Sequence, residues 1–129
     1  MEDNEEICPI ELAMQLISKK WVIQILRDMF FGKSRFNEFK QDKPTLSNKV
    51  LSHCLKQMEE NQLIKRYEDS DIIEYKLTER GLALNNVLYE LAMFTLTSDL
   101  AKKYYSPEKV DELKSIFCVV FKNEDGKNI

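Results

Sequence analysis

Apolar residues recur at helical spacing through the first third of the chain. This spacing predicts a helix over residues 7–19, a second over 21–31 and a short third over 35–41. Gly32 supplies the stop after the second helix. Residues 42–45 form a turn, because the residue before Pro44 is disfavoured in helical backbone. The sequence therefore predicts three helices before residue 46.

The fourth predicted helix, residues 47–61, has one apolar and one polar side. Ser47 is a suitable N-cap, since its hydroxyl can accept a backbone N–H bond from the first turn. The apolar side comprises Val50, Leu51, Cys54, Leu55 and Met58. The polar side comprises Asn48, Lys49, Ser52, His53, Lys56, Gln57 and Glu60. We expect the apolar side to be buried and the polar side to face outward.

After residue 64 the apolar period changes from 3.6 to 2. Two short strands are predicted at 65–68 and 73–77, around a polar tip at 69–71. Thr78 then caps a long helix over 79–103, and Ser106 caps a last helix. The predicted fold is mainly α with a small two-stranded antiparallel β-wing, a winged helix-turn-helix with long C-terminal dimerisation helices. We expect a single domain over 1–129, with the helix-turn-helix and wing within 7–77, the dimerisation helices at 78–122 and a frayed tail at 123–129.

Composition places the chain among cytoplasmic globular proteins. Hydrophobic residues make up 43% of it, too many for a disordered chain. No apolar run approaches the roughly 18 residues of a membrane span, and the acidic N-terminus does not resemble a secretory signal. Three cysteines at wide spacing do not form a disulfide framework. We therefore expect no membrane partner.

Charge is distributed unevenly around the predicted helix pair. The whole chain has net charge −3, but residues 33–67 carry eight basic and four acidic side chains, a local +4. Such asymmetry favours one basic face that would attract a phosphate backbone. Ordinary solvated helix surfaces remain an alternative explanation.

Two helices joined by a tight turn and followed by a hairpin are the elements of a winged helix-turn-helix, whose second helix enters the major groove of DNA. Asn48, His53 and Gln57 can read base edges, whereas Lys49 and Lys56 can reach phosphates or guanine. The predicted contacts with double-stranded DNA are, on the helix, Ser47, Asn48, Lys49, Ser52, His53, Lys56 and Gln57; beside the groove, Lys33, Arg35 and Lys43; and at the base of the wing, Lys65 and Arg66.

Several short runs resemble the HxlR-type winged-helix regulators, a MarR-like group. They include Cys8-Pro9-Ile10-Glu11, Lys20-Trp21, Arg35-Phe36-Asn37-Glu38, Ser47-Asn48-Lys49-Val50-Leu51-Ser52 and Glu74-Tyr75-Lys76-Leu77-Thr78. The resemblance covers roughly residues 7–95. It implies a homodimeric transcription regulator, more often a repressor, that binds an inverted repeat and dimerises through its first and C-terminal helices.

The wing departs from the family pattern. Relatives usually carry prolines and an arginine there, whereas this chain has a shorter stretch with Glu68, Asp69 and Asp71. An acidic tip is repelled by the phosphates that line a minor groove. We expect this wing either to contribute little to DNA binding or to bind only through Lys65 and Arg66.

Two cysteines are candidate redox sensors. Cys8 matches the cysteine that some relatives use to sense oxidants or electrophiles, and it lies where a helix dipole favours negative charge. Cys118 is a candidate partner for it across a dimer. An oxidant or a small molecule is therefore a candidate effector.

No enzyme or cofactor pattern is present. The chain has no glycine-rich phosphate loop and no metal-ligand spacing, and its single histidine, His53, completes no catalytic triad. Two alternatives to a DNA-binding regulator stay open: a winged helix used as a protein-interaction module, and a thiol switch with weak DNA binding.

Overall fold

The computed structural model describes residues 6–122, and the tail predicted to be frayed, 123–129, lies outside them. This part of the chain is mainly helical with one two-stranded sheet, as predicted. In chain order the elements are α1 (Pro9–Ile17), α2 (Val22–Phe30), α3 (Phe36–Lys40), α4 (Asn48–Glu60), β1 (Ile64–Asp69), β2 (Ile72–Leu77), α5 (Glu79–Leu82), α6 (Asn85–Leu96), α7 (Ala101–Tyr104), α8 (Pro107–Phe117) and a π-helical turn (Cys118–Lys122).

The core is built where α2, α3 and α4 meet. Ile25 and Leu26 from α2, Phe39 from α3, and Leu51 and Leu55 from α4 are all buried in it. The same apolar periodicity that predicted these helices determines which of their faces turn inward. Burial of the apolar side of α4 therefore determines which of its residues face solvent.

The C-terminal elements return to pack on α2. The ring of Phe121 is buried, with its centroid 5.1 Å from that of Phe30 and 5.8 Å from that of Phe117. The Asn85 side chain of α6 donates a hydrogen bond to the Phe121 carbonyl at 2.7 Å. Contacts of this kind join α6 and the π-helical turn to α2.

The hairpin of β1 and β2, here called the wing, is antiparallel and pairs Ile64 with Leu77 at one end and Asp69 with Ile72 at the other. Ser70 and Asp71 connect the strands with positive φ angles of 52° and 55°. Two consecutive residues with positive φ are typical of a tight turn that matches the twist of a hairpin. The predicted wing is confirmed.

The single helix predicted over 79–103 is wrong, because the structure divides this segment into α5, α6 and α7. After α6 the hydroxyls of Thr97 and Ser98 donate to the carbonyls of Met93 and Thr95 at 2.7 and 2.8 Å. The Ser98 hydroxyl also accepts from the Leu100 N–H. These side chains satisfy backbone groups that a continuing helix would use, and the helix ends there.

Gly81 allows α5 to approach the junction between α4 and β1 closely. A Cβ atom at this position would lie 2.1 Å from the carbonyl oxygen of Leu63. Thr78 strengthens the junction, because its N–H donates to the same oxygen at 3.1 Å and its hydroxyl donates to the Gln62 carbonyl. The wing base is therefore held against the C-terminal half of the chain.

Helices α1 and α6 each leave several apolar side chains exposed. In α1 no residue is buried, and Ile10 has 71% of its surface exposed. In α6 the exposed apolar residues follow one helical stripe, with Phe94 76% exposed. We call the exposed apolar residues of α1 and α6, together with Ile7 just before α1, the outer apolar surface: Ile7, Ile10, Leu12, Met14, Val87, Leu91 and Phe94. No helix within residues 6–122 is long and apolar enough to cross a membrane.

Candidate nucleic-acid interface

Helix α4 presents one polar face to solvent. Its N-cap, Ser47, accepts a hydrogen bond from the Val50 N–H at 3.1 Å and so fixes where the helix begins. The burial of Leu51, Cys54, Leu55 and Met58 leaves the predicted contact residues on the other side. We call this set the outer face of α4: Ser47, Asn48, Lys49, Ser52, His53, Lys56 and Gln57.

All members of the outer face of α4 are exposed except Gln57, which is half-buried at an edge. There Gln57 lines a small cavity beside Gln15 and Leu16 of α1. The acidic residues of α4, Glu59 and Glu60, lie in its last turn. The N-terminal part of the helix therefore combines hydrogen-bond donors with positive charge, as groove recognition requires.

One apolar assignment on this helix is wrong. The apolar pattern predicts Val50 on the buried side, but 45% of its surface is exposed. Leu46, one residue before the cap, is buried instead and packs in the core. The buried stripe is thus narrower than the apolar pattern indicates.

Lys40 belongs to this site although sequence reasoning did not select it. It is the last residue of α3, it is half-buried, and its ammonium donates a hydrogen bond to Asn48 Oδ1. The first residue of α4 is thereby tied to the preceding helix. Its position eight residues before Asn48 gave no recognisable signal, since contact depends on the angle between α3 and α4.

Lys33 and Arg35 lie near the start of α3 in weak ion pairs. Lys33 Nζ is 3.9 Å from Asp42 Oδ1, and Arg35 Nε is 3.8 Å from Glu74 Oε2. Ion pairs at such distances whose carboxylates are open to solvent contribute little to stability, so a phosphate can replace the carboxylates. Contact of both side chains with the DNA backbone beside the groove stays a prediction.

The entry to α3 is fixed by a carboxylate. Glu38 accepts hydrogen bonds from the backbone N–H groups of Ser34 at 2.8 Å and of Arg35 at 3.0 Å. These bonds favour the ionised form and lower the pKa of Glu38. The bonds hold the backbone of Arg35 at the helix start.

The prediction that Lys43 contacts DNA is wrong, because its side chain is only 2% exposed. The ammonium donates to Asp28 Oδ2, to the Phe39 carbonyl at 2.8 Å and to Asp42 Oδ1 at 3.0 Å. The bond from Lys43 lowers the pKa of Asp42. Lys43 is therefore an internal cation that joins the α3–α4 turn to α2.

The wing separates Lys65 from Arg66, each of which was predicted to contact DNA at the base of the wing. Adjacent strand residues point to opposite faces, so only one of them can address a given surface. Arg66 pairs with Glu68 at 3.2 Å, and a hydrogen bond with Tyr75 raises the pKa of Arg66. Lys65 lies on the face that carries Tyr67.

That face of the wing holds two lysines around one aromatic ring. Lys65 and Lys76 are direct cross-strand partners, and each ammonium lies 5.4 Å from the ring centre of Tyr67. Tyr67 and Lys76 were not selected from the sequence. Strand register brings the two lysines together, and the face of the Tyr67 ring attracts both ammonium groups.

The three cysteines lie in different environments. Cys8 is exposed at the N-cap of α1, Cys54 is buried in α4, and Cys118 is half-buried at the start of the π-helical turn. Burial raises the pKa of the Cys54 thiol to about 11, which keeps it protonated. The prediction that Cys54 is a core residue is confirmed. Among residues 6–122, no cluster of three His, Cys, Asp or Glu side chains could hold a metal ion.

The model of the HxlR-like helix-turn-helix family matches residues 16–105, a segment that includes α2 through α7. The chain belongs to this family. Its curated relatives include the HTH-type transcriptional regulator YvaP of Bacillus subtilis, which is 38% identical over 94 residues covering 70% of this chain and 87% of YvaP. The resemblance seen in the sequence is thereby confirmed, and this HxlR-like protein is a transcriptional regulator of the helix-turn-helix type.

Solved structures show the same winged-helix fold. The redox regulator HypR in its reduced form is 27% identical and superposes with a TM-score of 0.68, covering 75% of this chain and all of that one. The quinone-bound YodB from B. subtilis is 33% identical with a TM-score of 0.61, covering 71% of this chain and all of that one. The fold predicted for this HxlR-like chain is therefore confirmed.

Proposed function

We propose that this HxlR-like chain is a cytoplasmic, non-catalytic regulator that binds specific double-stranded DNA through the outer face of α4. The observation that carries the proposal is the alignment of exposed polar and basic side chains along the outer face of α4, ahead of the acidic residues in its last turn. Lys49 and Lys56 supply phosphate or guanine contacts, and Asn48, Ser52 and His53 supply hydrogen bonds to base edges. Lys33 and Arg35 neutralise the flanking backbone.

We further propose that the active form is a homodimer. The outer apolar surface supports this, because no residue of α1 is buried and Phe94 is 76% exposed. Large exposed apolar surfaces mark interaction sites, and most soluble oligomers are symmetric dimers. Two copies of α4 would then address an inverted repeat. A dimer bound there excludes other proteins from the same DNA, so we propose a repressor.

Selection from a randomised duplex library tests both parts of this proposal. We expect the protein to enrich an inverted repeat whose half-sites lie about 10 base pairs apart, and light scattering to show two chains per duplex. Phe94→Asp, which places a charge on the outer apolar surface, is expected to give a monomer that binds more weakly. Phe94→Leu keeps the surface apolar and should behave as wild type.

Two outcomes contradict the proposal. If folded protein enriches no sequence at low salt, the chain does not recognise specific DNA. That result would favour the alternative, in which the winged helix is a protein-interaction module. If Phe94→Asp remains dimeric and binds as wild type does, the outer apolar surface is not the dimer interface.

A thiol response is the second function that we propose, and the exposure of Cys8 supports it. One structural neighbour is described as a redox regulator and another as quinone-bound. Addition of the Cys8 thiol to a quinone forms one carbon–sulfur bond and breaks the S–H bond and one ring C–H bond. The two protons pass to the two ring oxygens, so the ring becomes a hydroquinone and no further oxidant is needed. A bulky group at the N-cap of α1 would disturb the outer apolar surface and thereby the dimer.

We expect a benzoquinone to weaken DNA binding by the wild type but not by Cys8→Ser. Diamide tests the disulfide route: it takes two electrons and two protons from two thiols, and a Cys8–Cys118 bond would give a cross-linked dimer on non-reducing gels. Cys118→Ser should abolish that dimer, whereas Cys54→Ser should not. Equal responses of wild type and Cys8→Ser would rule out Cys8 as the sensor.

A further inference from the structure

The contact between Lys40 and Asn48 determines how Asn48 can present its amide. Lys40 ends α3, Asn48 begins α4, and the Lys40 ammonium donates to Asn48 Oδ1. An ammonium group has donors and no acceptor, so the amide must turn its oxygen, and not its NH₂ group, toward Lys40. Within residues 6–122, no other side chain hydrogen-bonds the Asn48 amide.

Both partners in this contact are held by rigid local structure. The Lys40 carbonyl accepts from the Lys43 N–H at 3.0 Å, in the turn that the buried Asp28–Lys43 pair secures. Asn48 follows directly on Ser47, whose hydroxyl caps α4. The amide is therefore oriented before any DNA arrives, which is the condition for selective recognition.

The orientation has a consequence for base recognition. An unconstrained asparagine reads adenine in a bidentate manner, with its oxygen accepting from N6 and its NH₂ donating to N7. The Asn48 oxygen keeps a second lone pair, but it is turned toward Lys40 and α3, so the NH₂ group with its two N–H donors is the part of the amide that is left to reach a base. Guanine presents two adjacent acceptors, O6 and N7, in the major groove and matches a donor group.

We propose that Lys40 is a positioning residue that sets Asn48 to select guanine rather than adenine at one base pair of each half-site. The inference deepens the proposed function and rests on it, because it assumes that α4 lies in the major groove. Lys40 acts through Asn48, since its ammonium is already engaged and its side chain is half-buried.

The test compares base preferences from library selections with wild type, Lys40→Met, Lys40→Arg and Asn48→Ala. At one position, Lys40→Met is expected to change the guanine-to-adenine ratio roughly tenfold in favour of adenine, the size of a bidentate contact. Lys40→Arg retains a donor-only group and should keep guanine. Asn48→Ala should lose the preference at the same position and leave the others unchanged.

Lys33→Met is the matched control, because it also removes one positive charge close to α3. We expect it to weaken binding to all sequences without changing any preference. If Asn48→Ala changes one position and Lys40→Met changes none, the inference is overturned while the proposed function stands. The same holds if Asn48→Ala changes no position. If the wild type enriches no sequence, the proposed function fails and this inference fails with it.

Discussion

Replacing Lys43 by methionine is expected to lower the free energy of unfolding by about 3–5 kcal/mol, the cost of removing one partner from a buried ion pair. The Lys43 and Asp28 side chains are 2% and 4% exposed, so the remaining carboxylate stays in an environment with little water. Arg27, 2.9 Å from Asp28 Oδ1, can compensate in part and places the expected loss toward the lower end. Urea denaturation at one fixed protein concentration measures the change.

Two comparisons make this expectation specific. The double variant Asp28→Asn/Lys43→Met leaves no unpaired buried charge, so it should be more stable than Lys43→Met alone. Lys103→Met removes a lysine that is exposed on α7 and should change stability by less than about 0.5 kcal/mol. If Lys43→Met is as stable as the wild type, Lys43 does not hold the α3–α4 turn in the way described.

The helices that form the site were predictable because the capping residue and the helical spacing of apolar residues indicate the same helix boundaries. Ser47 and the apolar positions of residues 51–58 predicted α4 to within one residue at each end. The Ser47 hydroxyl bonds to a backbone N–H only three residues away, so the start of the helix is readable from nearby sequence. The apolar stripe is stable wherever it can pack against one other apolar surface. The wing was predictable for a similar reason, since alternation and a polar tip are local properties.

The charged residues were less predictable, because their environment depends on the tertiary structure. The residue type of Lys43 alone favours a surface position, and that expectation is wrong. A signal was present in α2, where Asp28 lies beside the apolar residues Leu26 and Met29, since a carboxylate on a buried face requires a cation. Which lysine supplies it depends on how the α3–α4 turn packs against α2.

The separation of Lys65 from Arg66 follows from strand alternation, which is a local property of the sequence. Adjacent side chains of β1 lie on opposite faces of the hairpin. The pairing of Lys65 with Lys76, in contrast, requires the register of the hairpin. The break after α6 involves the hydroxyls of Thr97 and Ser98, which donate to the carbonyls of Met93 and Thr95.

The double variant Lys49→Ala/Lys56→Ala is expected to lose affinity for the selected duplex by on the order of 100-fold or more near 0.1 M salt. Both lysines are exposed on the outer face of α4, and each occurs twice in the proposed dimer. Every lysine that neutralises a phosphate releases counterions, so its removal lowers affinity most at low salt. We expect the double variant to fold as the wild type does, because neither side chain is buried, so the loss of affinity reports on DNA contact.

The dependence of binding on salt concentration tests the central claim, that the outer face of α4 contacts DNA. The measurement is the slope of log K against log salt concentration for the wild type, the double variant and the remote control Lys103→Ala. We expect the slope to become shallower by about 0.9 for each phosphate that the variant no longer neutralises, which amounts to about 3–4 for the dimer, and to stay unchanged in the control. If the double variant retains the wild-type slope and affinity, α4 does not lie against the phosphate backbone and the account is wrong.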